Sequence, residues 1–74
     1  MTFRVLVADT LDEEGLAPLR PHAEVVERPT ISQEDLAAIV GDYDALIVRS
    51  RAKVTAEVLA AGSQGRLKVV GRAG

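Results

Sequence analysis

The sequence predicts an α/β fold built on one parallel sheet, and three observations lead to that prediction. The segments 3–8 and 45–48 are mostly apolar without polar alternation, as expected for central strands of a parallel sheet, and Leu67, Val69 and Val70 form a further apolar segment. Helix-start signals stand between these runs, and glycine or proline follows the helical segments. The resulting order is strand, helix, strand, helix, strand, helix, strand, with connections of ordinary α/β length.

The first strand is expected at 3–8, and a short helix should follow it. Thr10 and Glu13 have the spacing of a capping box, in which the hydroxyl and the carboxylate each accept a backbone N–H. Pro18 is unfavourable inside a helix because it lacks an N–H donor. Because proline is tolerated in the first turn, the helix should begin late, near Glu13 to Gly15, and end by Arg20.

The second strand and the second helix follow the same pattern. Residues 23–27 read as a short strand with charged ends, which suits the edge of a sheet. Ser32 precedes acidic residues that favour the first turn of a helix, because the helix dipole is positive there. Gly41 is the expected end of this helix.

The last segment predicts one more helix and one more strand. Thr55 can cap a helix over 56–61 whose inward residues would be Val58 and Leu59. Glycines at both ends of 62–65 predict that the helix stops there and a turn follows. Strand 4 then covers 67–70 and runs into a Gly-Arg-Ala-Gly sequence.

Right-handed crossovers arrange these elements as a flavodoxin-like sheet of strand order 2-1-3-4. That order puts the most apolar strands, 1 and 3, in the middle. It also puts the first helix alone on one face of the sheet. We therefore expect 1–74 to be a single, partial domain.

Composition excludes several classes of protein. The 74 residues contain no cysteine, so disulfides and cysteine-based zinc sites are excluded. A formal net charge of −2 argues against nucleic-acid binding. Neither a targeting leader nor an apolar run of membrane-spanning length is evident, and a cytoplasmic location is expected.

Residue types that perform catalysis are scarce. His22 stands in a loop beside Pro21 and is expected to be a solvated surface residue rather than a general base. Carboxylates cluster at 12–14, where they complement a helix dipole. We predict no catalytic residue and no metal site. The sequence also lacks the Gly-x-Gly-x-x-Gly and Walker phosphate-binding motifs.

The carboxyl ends of strands 1, 3 and 4 carry the residues of greatest interest. They are Asp9, Arg49 with Ser50, and Arg72, and ligands of open α/β sheets bind at this edge. Arginine presents a planar fork that suits phosphate or carboxylate. The alternative is that Arg49 pairs with Asp9 or Asp44. A response-regulator receiver is excluded, because its phosphoacceptor aspartate would stand where Arg49 is.

Three segments together resemble a known family. Residues 44–50 read Asp-Ala-Leu-Ile-Val-Arg-Ser, 53–55 read Lys-Val-Thr, and 67–74 read Leu-Lys-Val-Val-Gly-Arg-Ala-Gly. They closely resemble the D-isomer-specific 2-hydroxyacid dehydrogenases, in the branch that acts on 3-phosphoglycerate. Residues 5–9 fit as well, so the resemblance spans nearly the whole chain. Arg51 departs from the branch, which often has a small residue there.

The resemblance implies a larger protein than these residues encode. The family has a flavodoxin-like substrate domain and an inserted Rossmann domain that binds NAD and carries catalytic groups, which are absent from this sequence. By resemblance, Arg49 and Ser50 contact the substrate's phosphate or carboxylate, and Arg72, Ala73 and Gly74 line the substrate side of the cleft. His22 does not match the catalytic histidine.

The expected function is therefore part of an NAD-dependent oxidoreductase in serine biosynthesis. The expected partners are a small anionic 2-hydroxy acid and, in a homo-oligomer, other copies of the chain. NAD is expected for the full-length enzyme, and the 74 residues alone should bind none and show no activity. Two alternatives remain: a stand-alone or engineered module that folds as a dimer without catalysis, and a small-anion binding domain.

Overall fold

The sheet has the predicted topology. The computed structural model describes residues 3–49 and 52–72. Its elements are β1 (Arg4–Val7), α1 (Glu13–Leu16), β2 (Glu24–Glu27), α2 (Gln33–Ile39), a 3₁₀ turn (Val40–Asp42), β3 (Ala45–Val48), α3 (Ala56–Ser63) and β4 (Val69–Arg72). The four strands are parallel and lie in the order β2-β1-β3-β4, which confirms the flavodoxin-like arrangement.

Residues that alternate along β1 and β3 build a separate core on each face of the sheet. The larger core packs against α2 and α3, and its fully buried members include Leu6, Leu36, Leu46 and Val58. The smaller core contains Val5, Val7, Leu16 and Ala45 under α1. The face that carries α1 is therefore the thinner of the two, as the strand order predicts.

The first helix begins at Glu13 as predicted, but the predicted cap is wrong. The residue before the helix is Asp12, whose side chain makes no capping hydrogen bond, and Thr10 is not part of the helix. Arg20 instead donates to the Glu13 carboxylate at 2.6 and 2.8 Å and to Glu27 at 2.8 Å. The hydrogen bond from Arg20 lowers the pKa of Glu13. This ion pair, and not a capping box, ties α1 to the edge strand.

The other two helix starts are as predicted. The hydroxyl of Ser32 accepts the N–H of Asp35 at 3.1 Å, and the hydroxyl of Thr55 accepts the N–H of Val58 at 3.2 Å. Each bond satisfies one backbone donor that a helix start leaves unpaired.

The inner face of α3 differs from the prediction in two ways. Leu59 is 46% exposed, because it lies about 100° around the helix from buried Val58 and lines an open groove beside Val69 and Val70 of the edge strand β4. Gly62 does not stop the helix, which continues to Ser63. A Cβ on Gly62 would clash with the side chain of Leu67, so glycine here allows close packing between α3 and the chain that enters β4.

A buried carboxylate organises the amino edge of the sheet. Asp44 is 4% exposed and accepts the backbone N–H of Arg4 at 2.8 Å and a guanidinium N–H of Arg66 at 3.0 Å. The backbone N–H of Arg4, followed by the charges of Arg66 and Lys68, lowers the pKa of Asp44. Asp44 therefore joins the beginnings of β1, β3 and β4.

Candidate anion-binding site

Two of the predicted site residues lie where β3 and β4 end together. In the register of these parallel strands, Val48 is paired with Arg72, and Arg49 is the next residue after β3. Both arginines therefore stand at the carboxyl edge of the sheet, where ligands of such folds bind.

Arg49 and Arg72 line the same cleft, which has a volume of ≈ 240 Å³. Its lining residues, called the cationic cleft below, are Val48, Arg49, Ala52, Lys53, Val54, Val70 and Arg72. Three of these side chains are cationic and none is acidic. A cleft lined by one sign of charge concentrates ligands of the opposite sign.

Arg49 and Arg72 also differ from the arginines that stabilise the fold. Arg4 pairs with Glu24, Arg20 pairs with Glu13 and Glu27, and Arg66 pairs with Asp44. Within 3–49 and 52–72, no carboxylate makes an ion pair with the guanidinium of Arg49 or of Arg72. These two cations keep their hydrogen-bond donors available to an external anion.

The two carboxylates proposed as alternative partners of the Arg49 side chain have other roles. Asp44 binds Arg66, at the opposite edge of the sheet. Asp9 is 4% exposed and accepts the backbone N–H of Arg49 at 2.6 Å. It also accepts the backbone N–H of Ala52 at 3.2 Å to each carboxylate oxygen. Asp9 thus binds the backbone that carries the guanidinium and not the guanidinium itself.

The sequence did not predict the position of Lys53 or the contact that holds it. The Gln33 side chain accepts the backbone N–H of Lys53 at 2.8 Å and donates to its carbonyl oxygen at 3.0 Å. Lys53 therefore lies in the cationic cleft rather than in general solvent. The short distance in sequence between Lys53 and Arg49 could have indicated that Lys53 belongs to the site. No pattern in the sequence indicated that Gln33 binds its backbone.

Other predictions about the site have different outcomes. Ser50, Ala73 and Gly74, together with Arg51, lie outside the described residues. His22 is exposed and precedes β2, so it stands at the edge of the sheet opposite the cationic cleft. In the part of the chain that the structure describes, no group of three histidine or acidic side chains could hold a metal ion.

The first β–α connection does not fit a dinucleotide. A Rossmann fold presents glycines and a helix N-terminus to the pyrophosphate at this position. Here β1 is followed by Asp9, Thr10, Leu11 and Asp12, and α1 is only four residues long. Two carboxylates at this connection would repel a pyrophosphate.

Comparison with known proteins identifies the family. The sequence profile of the catalytic domain of the D-isomer specific 2-hydroxyacid dehydrogenases matches residues 5–74. The chain belongs to this family. The 2-hydroxyacid dehydrogenases are NAD-linked oxidoreductases, so the resemblance seen in residues 44–50 and 67–74 is confirmed at the level of the family.

Two similar curated relatives are D-3-phosphoglycerate dehydrogenases. D-3-phosphoglycerate dehydrogenase of Synechocystis is 42% identical over 96% of the chain. The chloroplastic D-3-phosphoglycerate dehydrogenase 2 of Arabidopsis thaliana is 52% identical over 96% of the chain. The chain spans 12% of the length of the first relative and 11% of the second.

Solved structures have the same fold. The PH0520 protein of Pyrococcus horikoshii is 33% identical and matches with a TM-score of 0.85. The match includes 97% of this chain and 21% of the PH0520 chain. An NAD⁺-bound 3-phosphoglycerate dehydrogenase of Entamoeba histolytica has a TM-score of 0.71 at 24% identity and supports the fold. No helix of the described residues is long and apolar enough to cross a membrane.

Proposed function

We propose that this chain supplies part of the substrate-binding site of an NAD-dependent D-3-phosphoglycerate dehydrogenase. The cationic cleft is the anion-binding site for 3-phosphoglycerate and its oxidised form, 3-phosphohydroxypyruvate. The observation that carries the proposal is that Arg49, Lys53 and Arg72 line one cleft without an acidic side chain. The relatives in Synechocystis and Arabidopsis are named for this activity.

The charges of the substrate complement those of the cationic cleft. 3-Phosphoglycerate carries a carboxylate at one end and a phosphate at the other, so it needs cations at two positions. Arg49 follows β3 and Arg72 is the last residue of β4, and each offers a planar set of donors that can bind two oxygens at once. Lys53 adds a compact positive charge to the same cleft.

The role of the chain in the reaction is to bind and orient. Holding a substrate in a reactive geometry can contribute about 7–11 kcal/mol of the reduction in an activation barrier. NAD supplies the hydride chemistry in this family, and the present residues do not fit it. We therefore propose that the 74 residues alone bind the substrate's anionic groups and catalyse no turnover.

The test is a calorimetric titration of the chain with 3-phosphoglycerate at low and at high salt. Binding should weaken as salt rises, because ions screen an exposed cluster of cations. Glycerol, which has the same carbon chain and no anionic group, should give no binding heat. Equal heats from glycerol and 3-phosphoglycerate would refute the proposal. NADH formation by the purified chain would refute the lack of turnover.

A second proposal is that the chain works as a homo-oligomer. Val69 is 51% exposed and Val70 is 37% exposed on β4, which is an edge strand of the sheet. An exposed apolar edge favours association with another chain. Sedimentation equilibrium tests this, and a folded monomer at micromolar concentration would contradict it. The alternative of a non-catalytic dimer requires the same association without binding of 3-phosphoglycerate.

A further inference from the structure

We propose that Asp9 is a positioning residue for the cationic cleft. Its buried carboxylate binds the backbone N–H groups of Arg49 and Ala52, and the Gln33 side chain binds the backbone of Lys53, so that both cationic side chains line the cleft. This inference rests on the proposed function, and it assigns a role to a buried acid that the binding of substrate does not itself use.

The hydrogen bonds of Asp9 show how the segment is held. The carboxylate accepts the N–H of Arg49 at 2.6 Å and the N–H of Ala52 at 3.2 Å. Two amides three residues apart therefore meet at one side chain. Hydrogen bonds to an ionised acceptor are about twice as strong as those between neutral groups. Asp9 follows β1 directly, so the bonds anchor the segment to a central strand.

Gln33 holds the other end of the segment. Its side-chain oxygen accepts the N–H of Lys53 at 2.8 Å, and its side-chain nitrogen donates to the Lys53 carbonyl at 3.0 Å. The amide thus satisfies both backbone groups of one residue. Because Gln33 is the first residue of α2, this contact fixes Lys53 relative to the larger core.

These contacts matter because Arg49, Ala52 and Lys53 belong to no helix or strand. The side chains of Arg49 and Lys53 are exposed, so packing does not determine where they stand. Their positions depend on the backbone, and the backbone depends on Asp9 and Gln33. Backbone that is already ordered before binding raises affinity, because the ligand does not have to supply the free energy of ordering it.

The positioning role and a purely electrostatic effect predict opposite changes in anion affinity when Asp9 is replaced, which makes the inference testable. Asp9→Asn removes a negative charge near the cationic cleft, so electrostatics alone would strengthen anion binding. Loss of positioning would weaken it, because the asparagine NH₂ group faces backbone donors. We expect the dissociation constant for 3-phosphoglycerate to rise about tenfold, the lower end of what losing an orienting partner costs at other ligand sites.

The matched control is Asp44→Asn. Asp44 is also 4% exposed and also accepts a backbone N–H from a neighbouring segment, but it lies at the opposite edge of the sheet. Its replacement should lower stability and leave the affinity of the folded protein for 3-phosphoglycerate within about twofold. If Asp9→Asn binds as tightly as wild type or more tightly, the positioning role is wrong.

Amide NMR spectra separate this inference from the proposed function. Asp9→Asn should shift the amide signals of Arg49, Ala52 and Lys53 more than Asp44→Asn does, whether or not a ligand binds. If wild type does not bind 3-phosphoglycerate, the proposed function fails. The spectra still test whether Asp9 positions the backbone of Arg49, Ala52 and Lys53. Unchanged signals for those three amides would overturn the inference.

A milder pair of variants decides the case if Asp9→Asn does not fold. Gln33→Ala removes an exposed side chain at the start of α2 and should weaken binding about threefold, in proportion to two neutral hydrogen bonds of modest net strength. Gln64→Ala removes the other glutamine, which is exposed at the end of α3 and should have no effect. Equal affinities for these two variants would overturn the inference.

Discussion

Gly65→Ala should destabilise the fold strongly, because of a backbone contact between the two connections at the amino edge. A Cβ on Gly65 would lie 2.7 Å from the Gly41 Cα and 2.8 Å from its carbonyl carbon, and closer still to its carbonyl oxygen. Ordinary contact begins at 3.4 Å, so the two backbones must separate by at least 3.4 − 2.7 = 0.7 Å.

The separation would also break existing contacts. The Gly41 carbonyl accepts the backbone N–H of Arg66 at 2.8 Å, and Arg66 pairs with Asp44. Overpacking costs about 1–3 kcal/mol, and we expect the upper half of that range because backbone cannot rotate away. At about 4–8 °C per kcal/mol for a domain of this size, the melting temperature should fall by roughly 10–20 °C.

Thermal unfolding followed by circular dichroism measures the effect. Gly15→Ala is the matched control, because no atom lies within 4 Å of the Cβ it would introduce. This control should be neutral or slightly stabilising, since alanine is favoured over glycine by about 1 kcal/mol in a helix. If Gly65→Ala melted within about 2 °C of wild type, corresponding to less than 0.5 kcal/mol, the close approach would be wrong.

Two further predictions concern stability. Thr55→Ala should cost about 1 kcal/mol in urea unfolding because it removes the cap of α3, whereas Thr10→Ala should cost almost nothing; equal losses would contradict the assignment of caps. Asp44 has a lowered pKa in the folded state, so its contribution is present above its ordinary pKa of 3.8 and disappears as pH falls through the folded value. Wild type should therefore lose stability more steeply than Asp44→Asn as pH falls from about 5 through 3.8 and below, and parallel curves would refute this linkage.

Much of the fold could be predicted because its determinants are local or periodic. The apolar run at 45–48 fixed a central strand, and the hydroxyls of Ser32 and Thr55 fixed two helix starts. Thr10 misled the prediction because its capping spacing is local, whereas the ion pair between Glu13 and Arg20 depends on the turn that follows α1. The exposure of Leu59 likewise depends on how α3 is rotated against the sheet.

The site could be predicted only in part. The carboxyl ends of parallel strands lie at the same edge of a sheet. The sequence therefore sufficed to predict that Arg49 and Arg72 lie near each other. It could not show that Asp9 accepts the backbone N–H groups of Arg49 and Ala52 rather than binding the Arg49 guanidinium, because that depends on how residues far apart in the chain come together. Nor could it show the contact of Gln33 with Lys53, which joins residues twenty positions apart.

The central claim is that Arg49 belongs to an anion-binding site, and a calorimetric comparison of two arginine variants tests it most directly. Arg28 follows β2 at the same edge of the sheet but does not line the cationic cleft. Arg49→Ala should lose about 1.5–3 kcal/mol of binding free energy for 3-phosphoglycerate, which is about 10- to 150-fold in affinity. Arg28→Ala should stay within about twofold of wild type. Equal affinities for the two variants would contradict the account.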